Sequence, residues 1–481
     1  NCALPGLLAP DEWEKPASMC ALQIRAEAST LNPSQCEAVD QALISPLTVV
    51  QGPPGTGKST VVRSTLLSLG VNGQTAIFGS MNHRAVEAVV LPMNRDMPQG
   101  RLVADLRESD QSSRWTSQLQ SNLSSARNQS AHDLKSIREA LAAIERQIAG
   151  ILAETRAALE DGDRLVGLLE ELRLLQETHA KWEADLRAIH LSMPLEQLQE
   201  LQAAGSSQLG MLARVVTAIR RWRILGNMRS SWPSRPRPER SLMPAMLEWK
   251  VGQLEFDAVE TRLRGRRDLD VQADELVARV EEKAGLVEQI TPDLPAIWAE
   301  IVRSESASLA AIRLESQGGG VTAKKRREEV ERKHLTKLLP GLPLWTITSL
   351  SVPRAVPLVA AAFDLGIIDE AGQCHPASAI PFLFRARRAM FVGDPQQLRP
   401  VASIAAHKED LLRRRHGLDG TAFSRFGFRG RSAYDIAEDS LIVRGGKVRL
   451  LKEHYRCHPA IAEFFNKHFY KDELQVRTTG R

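Results

Sequence analysis

The run Gly52-Pro53-Pro54-Gly55-Thr56-Gly57-Lys58-Ser59-Thr60 carries the spacing G-x-x-x-x-G-K-[ST]. In such a run the glycines let backbone N–H groups turn inward around phosphate oxygens, and a following helix adds the positive end of its dipole. Lys58 would reach the β and γ oxygens, and the Ser59 hydroxyl would ligate Mg²⁺. A second group, Asp369-Glu370, ends the apolar run Leu365-Gly366-Ile367-Ile368. There Asp369 can hold the metal's shell while Glu370 orients or deprotonates an attacking water. A third, Gln397 in Gly393-Asp394-Pro395-Gln396-Gln397-Leu398, is neutral and both donates and accepts hydrogen bonds, which suits sensing a γ-phosphate. The chemistry these three groups imply is hydrolysis of a nucleoside triphosphate.

Short apolar runs followed by turn residues must position these groups: Leu47 to Val50, Thr75 to Phe78, Leu365 to Ile368 and Ala389 to Val392. They read as buried parallel strands of an α/β sheet, with a helix expected from near Thr60. Between about 100 and 340 the chain is dominated by Ala, Leu, Glu, Gln and Arg, a helical composition. Leu134, Ile137, Leu141, Ile144, Ile148 and Ile151 follow alternating three and four spacing, as does Leu165, Leu168, Leu172, Leu175, His179, Trp182, Leu186 and Ile189. The spacing predicts a coiled-coil stalk, or the seam of ordinary bundle helices, with a break or stutter across Gly162 where the two runs lose phase. A return arm is expected near 245–316, extra helices near 194–225 and a flexible exit at Gly318-Gly319-Gly320. From Arg214 to Arg240 there are eight arginines and one acid, with Trp222 and Trp232 interleaved and prolines at 233, 236 and 238. That segment reads either as a tip gripping phosphates and stacking on bases, through residues such as Arg235 and Arg237, or as a solvated loop.

Composition bounds the alternatives. With 481 residues, 43% hydrophobic and 25% charged, the chain is an ordinary globular one of several domains. No apolar span is long enough for a membrane helix. Five cysteines without C-x-x-C spacing argue against a zinc ribbon or a disulfide scaffold and fit a reducing cytoplasm. A net charge of +5 permits a polyanionic partner without requiring one.

Taken in order, Leu31-Asn32-Pro33-Ser34-Gln35, G-P-P-G-T-G-K-S, D-E-A-G-Q, G-D-P-Q-Q-L and Tyr455-Arg456-Cys457-His458-Pro459 resemble the superfamily 1 helicases. The branch is the one with D-E-A-x-Q, which includes the nonsense-mediated-decay and replication helicase-nuclease types. The resemblance spans roughly 29–95 and 340–475. It implies a RecA-like P-loop sheet using ATP and Mg²⁺, with single-stranded DNA or RNA as its track and 5′ to 3′ polarity. Gln35 would bond the adenine edge, Tyr455 would stack on the base, and Arg456 would act as an arginine finger beside Lys58, Glu370 and Gln397. The stretch Phe78 to Val86, with Ser80 and Asn82, resembles motif Ia. Thr346 and Thr348 fall in a threonine-rich motif, and all four would contact the sugar-phosphate backbone.

The expected organisation is the end of an upstream region at 1–28, and the first part of a RecA-like domain at 29–95. A helical insertion follows at 96–340, then the rest of that domain at 341–445 and the start of a second RecA-like domain at 446–481. Motifs V and VI of the family do not occur before Arg481, and the first residue is Asn1, so the natural protein is expected to extend both ways and this chain alone to turn over ATP poorly. An ATP-driven translocase, DNA slightly favoured over RNA, is the leading reading, with the insertion meeting nucleic acid or a protein partner. The alternative is a structural or partner-gated ATPase that does not unwind. Its SMC-like form needs an L-S-G-G signature before the acidic strand, and 340–368 contains none.

Overall fold

The computed structural model describes residues 2–4, 23–95, 97, 100–107, 115–125, 134–179, 242–316, 321–402, 404–418 and 426–478, with isolated positions between 187 and 229. The arginine-rich segment with Arg235 and Arg237, the seam positions Trp182, Leu186 and Ile189, the helices expected near 194–225 apart from those isolated positions, and Gly318 to Gly320 lie outside the described residues. By contact the chain divides into one unit of residues 1–145 and 281–481 and another of 146–280.

The first unit is built on seven strands: β1 (Leu47–Gln51), β2 (Ala76–Ser80), β3 (Ala104–Asp105), β4 (Leu344–Thr348), β5 (Phe363–Asp369), β6 (Ala386–Gly393) and β7 (Arg449–Leu450). They form one sheet in the order β3-β4-β2-β5-β6-β1-β7, every pairing parallel. Alternate residues leave opposite faces of a strand, so Val49, Ile77, Ile347 and Phe391 enter one core while Val50, Phe78, Leu344 and Met390 enter the other. Both faces are therefore covered, which is why these strands read as unbroken apolar runs.

One face is covered by helices α1 (Pro33–Ile44), α2 (Lys58–Val71) and α3 (His83–Asn94), with Trp298 of a later helix. The L-N-P-S-Q signature is the start of α1. Asn32 accepts the N–H of Gln35, Gln35 returns its side chain to the N–H of Asn32, and Pro33 occupies the first turn, where no donor is missed. The other face is covered by a helix at Trp115–Ser125, one at Pro376–Arg385 whose Phe382 is fully buried, and one at Ala433–Val443.

After β7 the chain builds a smaller parallel pair, β8 (Glu453–His454) and β9 (Gln475–Val476), joined by a helix at Pro459–Phe469. Asn466 ties that helix to the strand approach by donating to the carbonyl of Leu474 at 2.9 Å and accepting its N–H at 3.0 Å.

Leu134–His179 is one continuous helix of 46 residues, so of the break or stutter expected at Gly162 the break does not occur. Within the second unit the seam residues Ile148, Ile151, Leu168 and Leu172 are buried. Where the two runs lose phase, Asp161 accepts from Arg262 at 3.1 Å and from Arg266 at 2.8 Å, so ion pairs stand where the apolar seam is interrupted. The return is made by Met243–Arg264 and Leu269–Ile290. Arg164 meets Glu255 at 2.7 Å and Thr155 meets Gln272 at 2.9 Å, so these helices run antiparallel to the first. Among the described residues no helix is long and apolar enough to cross a membrane.

Candidate active site

Because β6 lies between β1 and β5, the carboxy-terminal ends of three neighbouring strands deliver the phosphate loop, the paired carboxylates and the Gln397 turn to one crevice. The loop turns on Gly55 and Gly57, whose φ angles of 82° and 85° are left-handed and open to glycine at no steric cost. The helix after it begins at Lys58, two residues before the expected start. At Gly52 a Cβ would stand 2.3 Å from Cγ of Lys58, so the absence of a side chain is what lets the lysine fold back over the loop. Its Nζ donates to the carbonyl of Gly52 at 2.8 Å and stands 3.9 Å from the Glu370 carboxylate. Thr56 is buried and donates to the carbonyl of Pro53 at 2.8 Å, so its hydroxyl shapes the loop from within.

Asp369 is 3% exposed and accepts the N–H of Glu370 at 2.8 Å. Burial, reinforced by the neighbouring Glu370 charge and opposed by Lys58, pushes its carboxyl up to about 6. Glu370 itself sits at φ 51°, a left-handed conformation that costs a non-glycine residue about 1–2 kcal/mol. The turn aims its carboxylate at the crevice, and Gln373 of D-E-A-G-Q holds it by donating at 3.2 Å.

Gln397 donates through Nε2 to Oδ2 of Asp394 at 2.8 Å. A carboxylate only accepts, so this contact fixes the amide and leaves its carbonyl oxygen for the crevice. Tyr455 is half exposed, donates its backbone N–H to the carbonyl of Gly55 at 3.0 Å and accepts at its hydroxyl from Asn32 at 3.2 Å. Arg456 follows with its Cβ directly over Gly55. Together with Ser29, Thr30, Gln35, Pro53, Pro54, Gly57, Ser59, Thr60, Asn82, Arg84 and Ala85 these residues line a cleft of about 1200 Å³.

Two expectations change on inspection of the geometry. Gln35 lines the cleft, yet its oxygen is taken by the N–H of Asn32 and its amide by the carbonyl of Thr56 at 3.0 Å. In this conformation it is a strut between the start of α1 and the phosphate loop, not a free reader of a base edge. Ser80 and Thr346 are fully buried, and Thr346 donates to the carbonyl of Ala104 at 2.9 Å, so neither hydroxyl is presented to a strand. Thr348 is 5% exposed and shares a hydrogen bond with Ser351, whereas Asn82 is exposed and caps α3 through the N–H of Arg84.

Some cleft and supporting residues carried no signal in the sequence. Ser29 and Thr30 sit just ahead of the L-N-P-S-Q signature, and Arg84 lies within the motif Ia stretch but has no role assigned there. His454 is wholly buried under Gly55; burial and nearby Arg456 hold its imidazole below the ordinary value, and Nε2 accepts the N–H of Cys457 at 2.8 Å. Ser34 donates to the buried Glu453 at 2.7 Å, tying α1 to the same segment.

A family model described as an AAA domain matches residues 30–203 and 303–403, together more than half of the chain. The protein "5'-3' DNA helicase ZGRF1" of Mus musculus is 35% identical over 116 residues, 23% of this chain and 5% of that protein. "Probable helicase MAGATAMA 3" of Arabidopsis thaliana is 35% identical over 114 residues, 24% and 11% respectively. "Helicase SEN1" of Saccharomyces cerevisiae is 35% identical over 117 residues, 24% and 4% respectively. The chain thus spans about a tenth or less of the length of each of these relatives.

Proposed function

The chain belongs to the AAA domain family, in the superfamily 1 helicases of the D-E-A-x-Q branch, and on that premise we propose that it is an ATP-hydrolysing motor on single-stranded nucleic acid. The observation that carries the proposal is the convergence of Lys58, Asp369, Glu370, Gln397, Tyr455 and Arg456 on one cleft. The phosphate loop would bind the triphosphate through its N–H groups, with Lys58 moving from the Gly52 carbonyl to the phosphates. Glu370, held by Gln373 and flanked by Lys58, would take the proton of the attacking water. The free carbonyl oxygen of Gln397 would accept from the same water, and Arg456 would neutralise charge developing on the γ-phosphate. Tyr455 would stack on the adenine.

The donor set suits Mg²⁺. A buried carboxyl whose ionisation is opposed by its surroundings gains from a small hard cation, and among the described residues no cluster of three acids or histidines competes for it. Ser59 and Asp369 would hold the ion, which takes its remaining ligands from phosphate and water and supplies charge neutralisation.

The name of the mouse relative specifies DNA, which inclines the track toward single-stranded DNA over RNA. Exposed Asn82 is the described candidate for a backbone contact, with Arg235 and Arg237 as further ones. Closure of two RecA-like domains around ATP would convert hydrolysis into movement, and the helical insertion would meet nucleic acid or a protein partner. The cysteines among the described residues are free, in keeping with a reducing cytoplasm.

The test is the ATPase rate of the full-length protein with and without single-stranded DNA and RNA, with Lys58→Ala as the blank. Stimulation by one polymer supports the motor and identifies its track. A basal rate that neither polymer raises would favour a structural or partner-gated ATPase. Glu370→Gln is expected to keep ATP binding and lose about 100-fold or more in turnover, the contribution of a positioned base. A normal rate would place the base elsewhere.

A further inference from the structure

Asp394, at the end of β6, is 2% exposed and receives three donors. Oδ1 accepts the N–H of Gln396 at 3.1 Å; Oδ2 accepts both Nε2 of Gln397 at 2.8 Å and the hydroxyl of Tyr470 at 2.7 Å. Tyr470 is 76 residues away in sequence, at the end of the helix Pro459–Phe469, and is 7% exposed. Burial, and then the contact with Asp394, keeps its phenol above the ordinary range, so it remains a donor at working pH.

The same helix begins just after Tyr455 and Arg456, and the β8–helix–β9 segment that carries all three is internally tied by Asn466. That segment therefore reaches the cleft at two points: the N–H of Tyr455 on the carbonyl of Gly55, and the hydroxyl of Tyr470 on Asp394. Two hydrogen bonds to one carboxylate oxygen are coupled, because the hydroxyl of Tyr470 helps fix the direction in which Oδ2 meets Nε2 of Gln397, and without it the carboxylate is free to turn.

We propose that Asp394 and Tyr470 are positioning residues that make the orientation of Gln397 depend on where the segment bearing Tyr455 and Arg456 lies. The inference rests on the reading of the cleft as an ATPase site. With the segment seated, Tyr470 fixes one side of Asp394 and the amide of Gln397 presents its oxygen to the cleft. With the segment withdrawn, the carboxylate loses a donor and Gln397 loses its fixed orientation. Water activation and the seating of Arg456 are thereby made to occur together.

The experiment compares steady-state ATPase of the full-length protein with that of Tyr470→Phe, Gln397→Ala and the double variant, with Lys58→Ala as the blank, alongside binding of a fluorescent ATP analogue. Tyr470→Phe keeps the ring and removes one oxygen. It is expected to lower kcat about tenfold, with KM and analogue affinity within about twofold, the signature of a lost transition-state orientation. In the Gln397→Ala background it is expected to cost less than about twofold, since a residue acting through Gln397 has nothing left to position. Asp394→Asn, of unchanged volume, is expected to reproduce both results. A kcat for Tyr470→Phe within twofold of the unaltered protein, or losses that multiply in the double variant, would overturn the coupling while leaving the ATPase reading intact. An unaltered protein no faster than Lys58→Ala would overturn that reading, and the coupling with it.

Discussion

Asp369 is buried among groups that oppose its charge, and that has a thermodynamic cost in the protein without nucleotide. Its folded value of about 6 lies above its unfolded value near 3.8, so the folded state binds the proton more tightly. Stability is then lost as pH rises from about 4 to about 6, and the full cost, up to about 3 kcal/mol, is present above that window. Asp369→Asn is expected to stabilise the nucleotide-free protein by about 1–3 kcal/mol at pH 8, and by about 1 kcal/mol less at pH 5. Urea unfolding at the two pH values measures this, and the same variant should lose Mg²⁺-dependent turnover. The side chain that ligation calls for is thus one the fold would be more stable without, as expected of a residue kept for function. Residue types at fixed spacing made Lys58, Asp369, Glu370 and Gln397 legible in the sequence. Gln373 stood in the D-E-A-G-Q motif without a role assigned to it, and His454 and Tyr470 were not legible, because each acts through a partner, 3 and 76 residues away, that no local pattern names.

At the scale of elements, the long helix Leu134–His179 carries glycines at 150, 162 and 167, and a Cβ added at any of them meets nothing within 4 Å. Glycine costs a helix interior about 1 kcal/mol relative to alanine, so Gly162→Ala is expected to raise stability by about 0.5–1 kcal/mol in thermal unfolding. A loss would mean the position needs its freedom. Within the first unit, buried Lys283 of the returning helix meets Glu145 at 2.9 Å, and Glu145 also accepts the N–H of Arg25 at 3.2 Å. Glu145→Ala would strand the ammonium in the interior, and a loss of about 3–5 kcal/mol is expected on denaturant unfolding. Periodicity revealed the helices and their buried seam. It did not reveal that Asp161 and its two arginines would stand at the phase change, since a seam rule counts apolar positions and is blind to ion pairs.

At the scale of the molecule, a net charge of only +5 means that any strand affinity depends on where the arginines gather. Replacing residues 229–240 by a Gly/Ser loop is expected to lower single-strand affinity and flatten its salt dependence if Arg235 and Arg237 neutralise phosphates. Titrations at two salt concentrations decide, and an unchanged slope would return that segment to a solvated loop. The sequence by itself determined the phosphate loop, the acidic strand end, the Gln397 turn and the parallel α/β class. Each of these is written in residue type and short-range spacing, which local sterics and hydrophobic period enforce. The tertiary structure alone decided that β6 stands between the strands bearing Lys58 and Asp369, that Gln35 is a strut, that Ser80 and Thr346 face inward, and that Tyr470 reaches Asp394. Those are outcomes of strand order and of competition among buried donors and acceptors, and both are settled only when distant segments pack against one another.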